Sequence, residues 1–256
     1  MNLLTLLRVE LLKIRRSKIF WILLIPAVMM WLPSAMNADI NFVMNTYKVA
    51  PEYNYFIQGY MGMAWFMIPA TLMICAVLLN QTEKSNHGLL KCLALPVSAA
   101  GMCLAKFLVM IVLTFVQLLL SIGTYYASAI LASEIHDYNF VLPFVYVCRT
   151  ASMIYLAALP TAAVYWMFSV LISTPIFSMG LGLASIVPSV LMLNTKVWYC
   201  YPMDYPFYIL MTEYGKLAPE VFDTQIQLMP MLPIAAVLTA VCLAIACIRY
   251  GKAERK

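Results

Sequence analysis

The feature that most constrains this chain is how far apart its charged side chains stand. Five long stretches carry none: residues 19–38, 53–82, 107–133, 150–195 and 224–248. A hydrocarbon core about 30 Å thick takes about 20 helical residues, and a helix satisfies its own backbone polar groups there. The fourth stretch holds 46 residues, roughly 69 Å as helix, more than two such cores. It must fold back, and Ser173-Thr174-Pro175 is the place. A proline disfavours helix at the residue before it, and two hydroxyls can cap the next start. Six transmembrane helices follow, over 19–38, 60–80, 107–132, 150–172, 176–193 and 229–248. Composition agrees, since 11% of residues are charged against about 25% in soluble chains. The expected fold is a single all-α integral membrane domain over residues 1–256.

Orientation follows from Lys and Arg, which cytoplasmic flanks retain. With the N terminus inside, 12 of the 16 basic residues face the cytoplasm: Arg8, Lys13, Arg15, Arg16 and Lys18; Lys84, Lys91 and Lys106; Arg249, Lys252, Arg255 and Lys256. Only Lys48, Arg149, Lys196 and Lys216 fall outside. Both termini are therefore expected in the cytoplasm. A basic flank before an apolar run also fits a signal peptide, but no A-x-A site follows Leu32, so a retained anchor is expected.

Residues 1–18 put Leu3, Leu4, Leu7, Leu11 and Ile14 on one helical face, as an interfacial helix on the inner leaflet would. Between the second and third spans, residues 81–106 form a cytoplasmic connection that is half apolar, where idle connectors are shorter and more polar. Leu89, Leu90, Leu93 and Leu95 follow helical spacing up to Pro96, giving a short helix whose apolar face needs a partner protein. The last outer loop, 194–228, is aromatic and broken by Pro202 and Pro206, which suits short re-entrant or interfacial segments. The first outer loop, 39–59, is polar and tyrosine-rich.

Signatures of soluble enzymes are missing. There is no GxxxxGK[ST], HExxH, GxSxG or SxxK, so no ATP is bound through a P-loop here and no catalytic residue is assigned. Seven cysteines without a CxxC pair read as small apolar residues, and Glu134, His136 and Asp137 as a solvated outer loop, so no metal site is expected. The charge-free stretches hold no paired acids, which argues against an intramembrane enzyme.

Thr114, Gln117, Ser121, Thr124 and Ser128 recur every three or four residues, so they share one face of the third span. That face is either a polar wall along a translocation path or a source of interhelical hydrogen bonds. In the fifth span Ser178, Gly182, Ser185 and Ser189 form a small-residue row that allows close helix packing, within the chain or across a dimer seam. Arg149 is expected to snorkel from the fourth span to the interface.

Three segments resemble the permease subunits of type-2 ABC exporters, among them lantibiotic-immunity and antimicrobial-peptide-resistance permeases. "LLRVELLKIRRSKIFWILLIP" is similar to that family's elbow helix. Glu83, Gly88, Leu90, Lys91, Leu95, Pro96 and Lys106 resemble its pattern of an acid, a glycine, a leucine-rich turn, LP(V/I)S and a lysine opening the third span. "YPMDYP" is similar to its proline- and aromatic-rich outer motif. Ala99-Ala100-Gly101 departs from it, standing where many relatives place a basic residue. The resemblance implies a bacterial cytoplasmic-membrane permease that works with a second permease, identical or homologous, and with two copies of a separate cytoplasmic ATPase that carries ATP and Mg. This chain itself would hold no cofactor and bind no nucleic acid. Residues Glu83, Gly88, Leu89, Leu90, Lys91, Leu93, Leu95 and Pro96 would then form the ATPase-coupling element. An amphipathic peptide, drug or lipid-like substrate would leave toward the outside, conferring immunity or resistance. A channel, or a sensor or assembly subunit, is the alternative.

Overall fold

The computed structural model describes residues 3–15, 19–43, 49–84, 98–219 and 228–253, and among them every regular element is helical. The elements are α1 (Leu3–Arg15), α2 (Ile19–Met36), the single turn α3 (Ile40–Val43), α4 (Pro51–Gly62), a π-helical turn (Met63–Met67), α5 (Ile68–Lys84) and α6 (Ala99–His136). After them come α7 (Phe144–Ala157), α8 (Leu159–Leu171), α9 (Pro175–Ala184), α10 (Ser189–Met192), α11 (Tyr205–Leu217) and α12 (Leu228–Ala253). Among the described residues six helical runs are long and apolar enough to cross a membrane: Ile19–Met36, Pro51–Gln81, Ala99–His136, Phe144–Leu171, Pro175–Met192 and Met229–Tyr250.

Helix starts follow local chemistry. Pro51, Pro160, Pro175 and Pro206 stand in the first turn of α4, α8, α9 and α11, where a missing N–H costs nothing. Ser98 caps α6 by accepting from the Gly101 N–H at 3.2 Å. Asp137 ends α6 in the left-handed conformation at φ 51°, which aspartate tolerates better than most residues.

Several boundaries differ from the charge-free intervals, because a charge marks where hydrocarbon ends and not where helix ends. The second crossing begins at Pro51, nine residues before 60, so much of the expected loop 39–59 is helix. Its Tyr55 and Tyr60 are buried in the core. Helix also continues to Lys84 and resumes at Ala99, so 81–106 is not all connection. Within the expected loop 194–228, residues 194–219 are more structured than a loop: 3-10 turns at Trp198–Cys200 and Pro202–Asp204 lead into α11, which packs on α7.

Packing is organised around α6 and α8. Helices α1 and α2 lie on α6, α5 and α12 on α8, and α9 on α5. At the centre, Trp31 meets Tyr60 and Tyr125 edge to face, with ring centroids 5.3 and 5.1 Å apart. Gly59 makes that approach possible, since a Cβ there would lie 2.2 Å from the Trp31 ring. The π-helical turn follows a few residues on, the kind of irregularity often found at functional sites.

Two ends are distinguishable. At the basic end, α1, the end of α5, the start of α6 and the end of α12 converge, through contacts of Lys106 with Glu10 and Leu79 and of Cys247 with Ala100. At the far end Tyr138 donates to Glu52 at 2.6 Å, and Arg149 lies 4.0 Å from Glu213. Arg149 is exposed there, as a snorkelling side chain is.

Candidate functional site

Lys106 sits in the second turn of α6 with its side chain only 1% exposed. An ammonium buried that far needs compensation. Its Nζ donates to Glu10 Oε2 at 3.0 Å and to the Leu79 carbonyl at 3.2 Å. Glu10, also bonded to Lys13, belongs to α1, while Leu79 belongs to α5. One cation thus ties three helices together at the root of the connection between α5 and α6. Glu83 lies in the last turn of α5. Gly88, Leu89, Leu90, Lys91, Leu93, Leu95 and Pro96 lie outside the described residues.

Helix α1 docks with Leu6, Leu7, Leu11 and Ile14 against the core, while Leu3 and Leu4 are exposed. The apolar face expected from the sequence is therefore rotated toward Leu6 and Glu10. Sequence reading passed over Glu10. Its signal was its solitude, the one acid among Arg8, Lys13, Arg15, Arg16 and Lys18.

The polar row of α6 points into the protein. Ser121 Oγ donates to Tyr60 Oη at 3.0 Å, and Tyr55 Oη donates to Ser128 Oγ at 2.9 Å. Thr114 and Thr124 return their hydroxyls to the Met110 and Leu120 carbonyls. Gln117 is fully buried, and among the described residues neither end of its amide has a partner. A cavity of about 170 Å³ between α2 and α6 is lined by Trp31, Thr124 and Ser128 among others.

Ser178 and Gly182 face inward as well, onto α5. A Cβ on Gly182 would meet Met73 Sδ at 2.4 Å, and Ser178 is 1% exposed. Ser185 lies within hydrogen-bonding distance of Tyr165 Oη at 3.3 Å, and Ser189 donates to the Ile186 carbonyl at 2.7 Å. The other side of this crossing, with Ile176, Phe177, Val187 and Leu191, is exposed.

The turn before α11 is wedged between two crossings. Thr161 of α8 donates to the Pro202 carbonyl at 2.6 Å, and Tyr201 donates to the Ser185 carbonyl. Asp204 is 0% exposed, and neither carboxylate oxygen has a partner among the described residues. Among the described residues no group of His, Cys, Asp or Glu is placed to hold a metal.

These features define a multi-pass helical membrane protein with a clamped basic end and a buried turn before α11. The chain belongs to the ABC-2 family of transporter proteins, whose family model matches residues 6–189, from α1 to the start of α10. Members are the membrane permeases of ABC transporters, a transmembrane rather than a catalytic component, and generally pair with an ABC ATPase subunit. No match was found among curated proteins or among solved structures.

Proposed function

We propose that this permease drives export through the connection between α5 and α6. A pair of separate cytoplasmic ATPases, holding ATP and Mg, would grip Glu83 and the stretch with Gly88, Leu89, Leu90, Lys91, Leu93, Leu95 and Pro96. The observation that carries this reading is the Lys106 clamp: both roots of that connection are fastened to α1 by one buried cation. Movement imposed on it therefore reaches three helices together, as a coupled transition requires. The basic end then faces the cytoplasm, as its arginines and lysines favour.

A second permease, identical or homologous, completes the path. The substrate is an amphipathic peptide of the lantibiotic kind, a drug or a lipid-like molecule, and its export from a bacterial cytoplasmic membrane confers immunity or resistance. Thr114, Gln117, Ser121, Thr124 and Ser128 take part in that path when the helices rock apart, with the unpartnered Gln117 amide as the group best placed to be recruited.

The test is purification of the chain with its ATPase, with and without Leu89→Asp and Leu93→Asp. Both substitutions are expected to abolish assembly or to leave hydrolysis uncoupled from substrate. Unchanged assembly and unchanged substrate-stimulated hydrolysis would refute the coupling role.

A further inference from the structure

Asp204 stands apart from everything described for the basic end and the α6 row. It ends the 3-10 turn Pro202–Asp204 and precedes the 13-residue helix α11, at 0% exposure. A buried carboxylate normally collects hydrogen bonds, and donors are at hand here. They are committed elsewhere: Tyr201 to the Ser185 carbonyl, Tyr205 to the Tyr199 carbonyl and Thr161 to the Pro202 carbonyl. Among the described residues both oxygens of Asp204 stay without a partner.

The depth of the turn sharpens the problem. Ser185 is ten residues beyond Pro175 in the crossing Pro175–Met192, about 15 Å along the helix. Thr161 lies within the crossing Phe144–Leu171. An ionised acid held between two such helices is costly unless something pairs with it. Among the described residues no lysine or arginine bonds to it. The elements packed on the turn are α8, α10, α11 and the turn Trp198–Cys200. Their titratable or charged groups are Tyr165, Tyr199, Cys200, Tyr205, Tyr208, Tyr214, Glu213 and Lys216, together with Tyr201 in the linking position. Tyr201 and Tyr205 flank the turn Pro202–Asp204, and neither is basic. Glu213 and Lys216 stand nine and twelve residues further along and bond each other.

We infer that Asp204 is a proton-binding site: its carboxyl is neutral while the re-entrant turn is packed, and gives its proton to water when the turn opens. The carboxyl O–H bond breaks, the proton passes to a solvent water, and the carboxylate remains hydrated in the opened turn. Packing and proton uptake are thereby linked. The packed state binds the extra proton, so acid favours packing and the opening constant rises by up to tenfold per pH unit. The rise begins near the ordinary carboxyl value of about 3.9 and levels off once the packed carboxyl ionises as well.

The experiment uses the full chain in lipid nanodiscs and compares wild type with Asp204→Asn and Asp204→Glu. Infrared difference spectra at neutral pH are expected to show a protonated-carboxyl band in wild type that Asp204→Asn lacks. Met203, 3% exposed, is changed to Cys in a Cys200→Ser background, so that maleimide reports opening. Relative to the Asp204→Asn version of the same protein, its alkylation rate should climb with pH, while the Asp204→Glu version should climb as well. Absence of the carboxyl band, or equal alkylation in wild type and Asp204→Asn at every pH, overturns the assignment. Thermal melting of Asp204→Asn guards the comparison; should that variant melt early, the wild-type and Asp204→Glu rates, each divided by the rate of the same protein after denaturation at that pH, carry it, and two flat ratios overturn it.

Discussion

Burial decides which half of the Glu10–Lys106 pair matters more. Glu10 is 12% exposed and keeps Lys13 as a second partner, whereas Lys106 is 1% exposed. Replacing Glu10 by Leu removes a carboxylate from the deeper charge, and losing a hydrogen bond to a charged group costs about 1.5–3 kcal/mol. Thermal melting in detergent should show a larger loss for Glu10→Leu than for Lys106→Met, and the double variant should recover much of it. A double variant no better than Glu10→Leu would show that the two side chains do not act as a pair. Gln117 makes the opposite case. Its amide is buried and unpartnered, so Gln117→Leu should leave melting unchanged or raise it. Substrate-stimulated hydrolysis should fall in that variant if the amide serves the path. A loss of more than about 1 kcal/mol would instead reveal a hydrogen bond. None of these relationships could be read from spacing alone, because Glu10 and Lys106 are 96 residues apart.

At the scale of elements, glycines separate helix approaches that are tight from those that are not. A Cβ at Gly59 would strike Trp31 at 2.2 Å, while one at Gly123 meets nothing within 4 Å. Gly59→Ala is therefore expected to destabilise by about 1–3 kcal/mol through overpacking, and Gly123→Ala to stabilise slightly by helix propensity. Differential melting of the two variants checks this, and equal shifts would remove Gly59 from the contact. Six crossings were legible in the sequence because charge spacing is a direct record of hydrocarbon thickness. What lay hidden was helix outside the hydrocarbon. The tyrosines of 51–60 look like loop polarity, yet Tyr55 and Tyr60 form a buried aromatic core once Gly59 lets Trp31 in. The α6 row was legible as a face; that it points toward Tyr55 and Tyr60 depended on where α4 packs. Asp204 was visible only as a letter in "YPMDYP", since its isolation arises from neighbours that bond elsewhere.

Taken whole, the molecule is spanned by one rod. Helix α6 has 38 residues, about 57 Å at 1.5 Å per residue, nearly twice a hydrocarbon core. Its first turns are clamped at the basic end, and its last turn lies near Glu52 and Tyr138 at the far end. Those ends cannot share one side of a bilayer if the rod crosses it. The proposed coupling needs the clamp in the cytoplasm and the Tyr138 end outside, the orientation that the positive-inside tendency favours. Single cysteines placed at Lys13 and at Asn139 in a cysteine-free chain should therefore react with a membrane-impermeant maleimide from opposite faces. In right-side-out vesicles Asn139→Cys should be modified at once and Lys13→Cys only after permeabilisation, with the order reversed in inverted vesicles. Modification of both from one face would mean that α6 does not cross. Reversal of the two would keep the crossing but turn the Lys106 clamp away from any cytoplasmic ATPase, and the proposed coupling would fail with it.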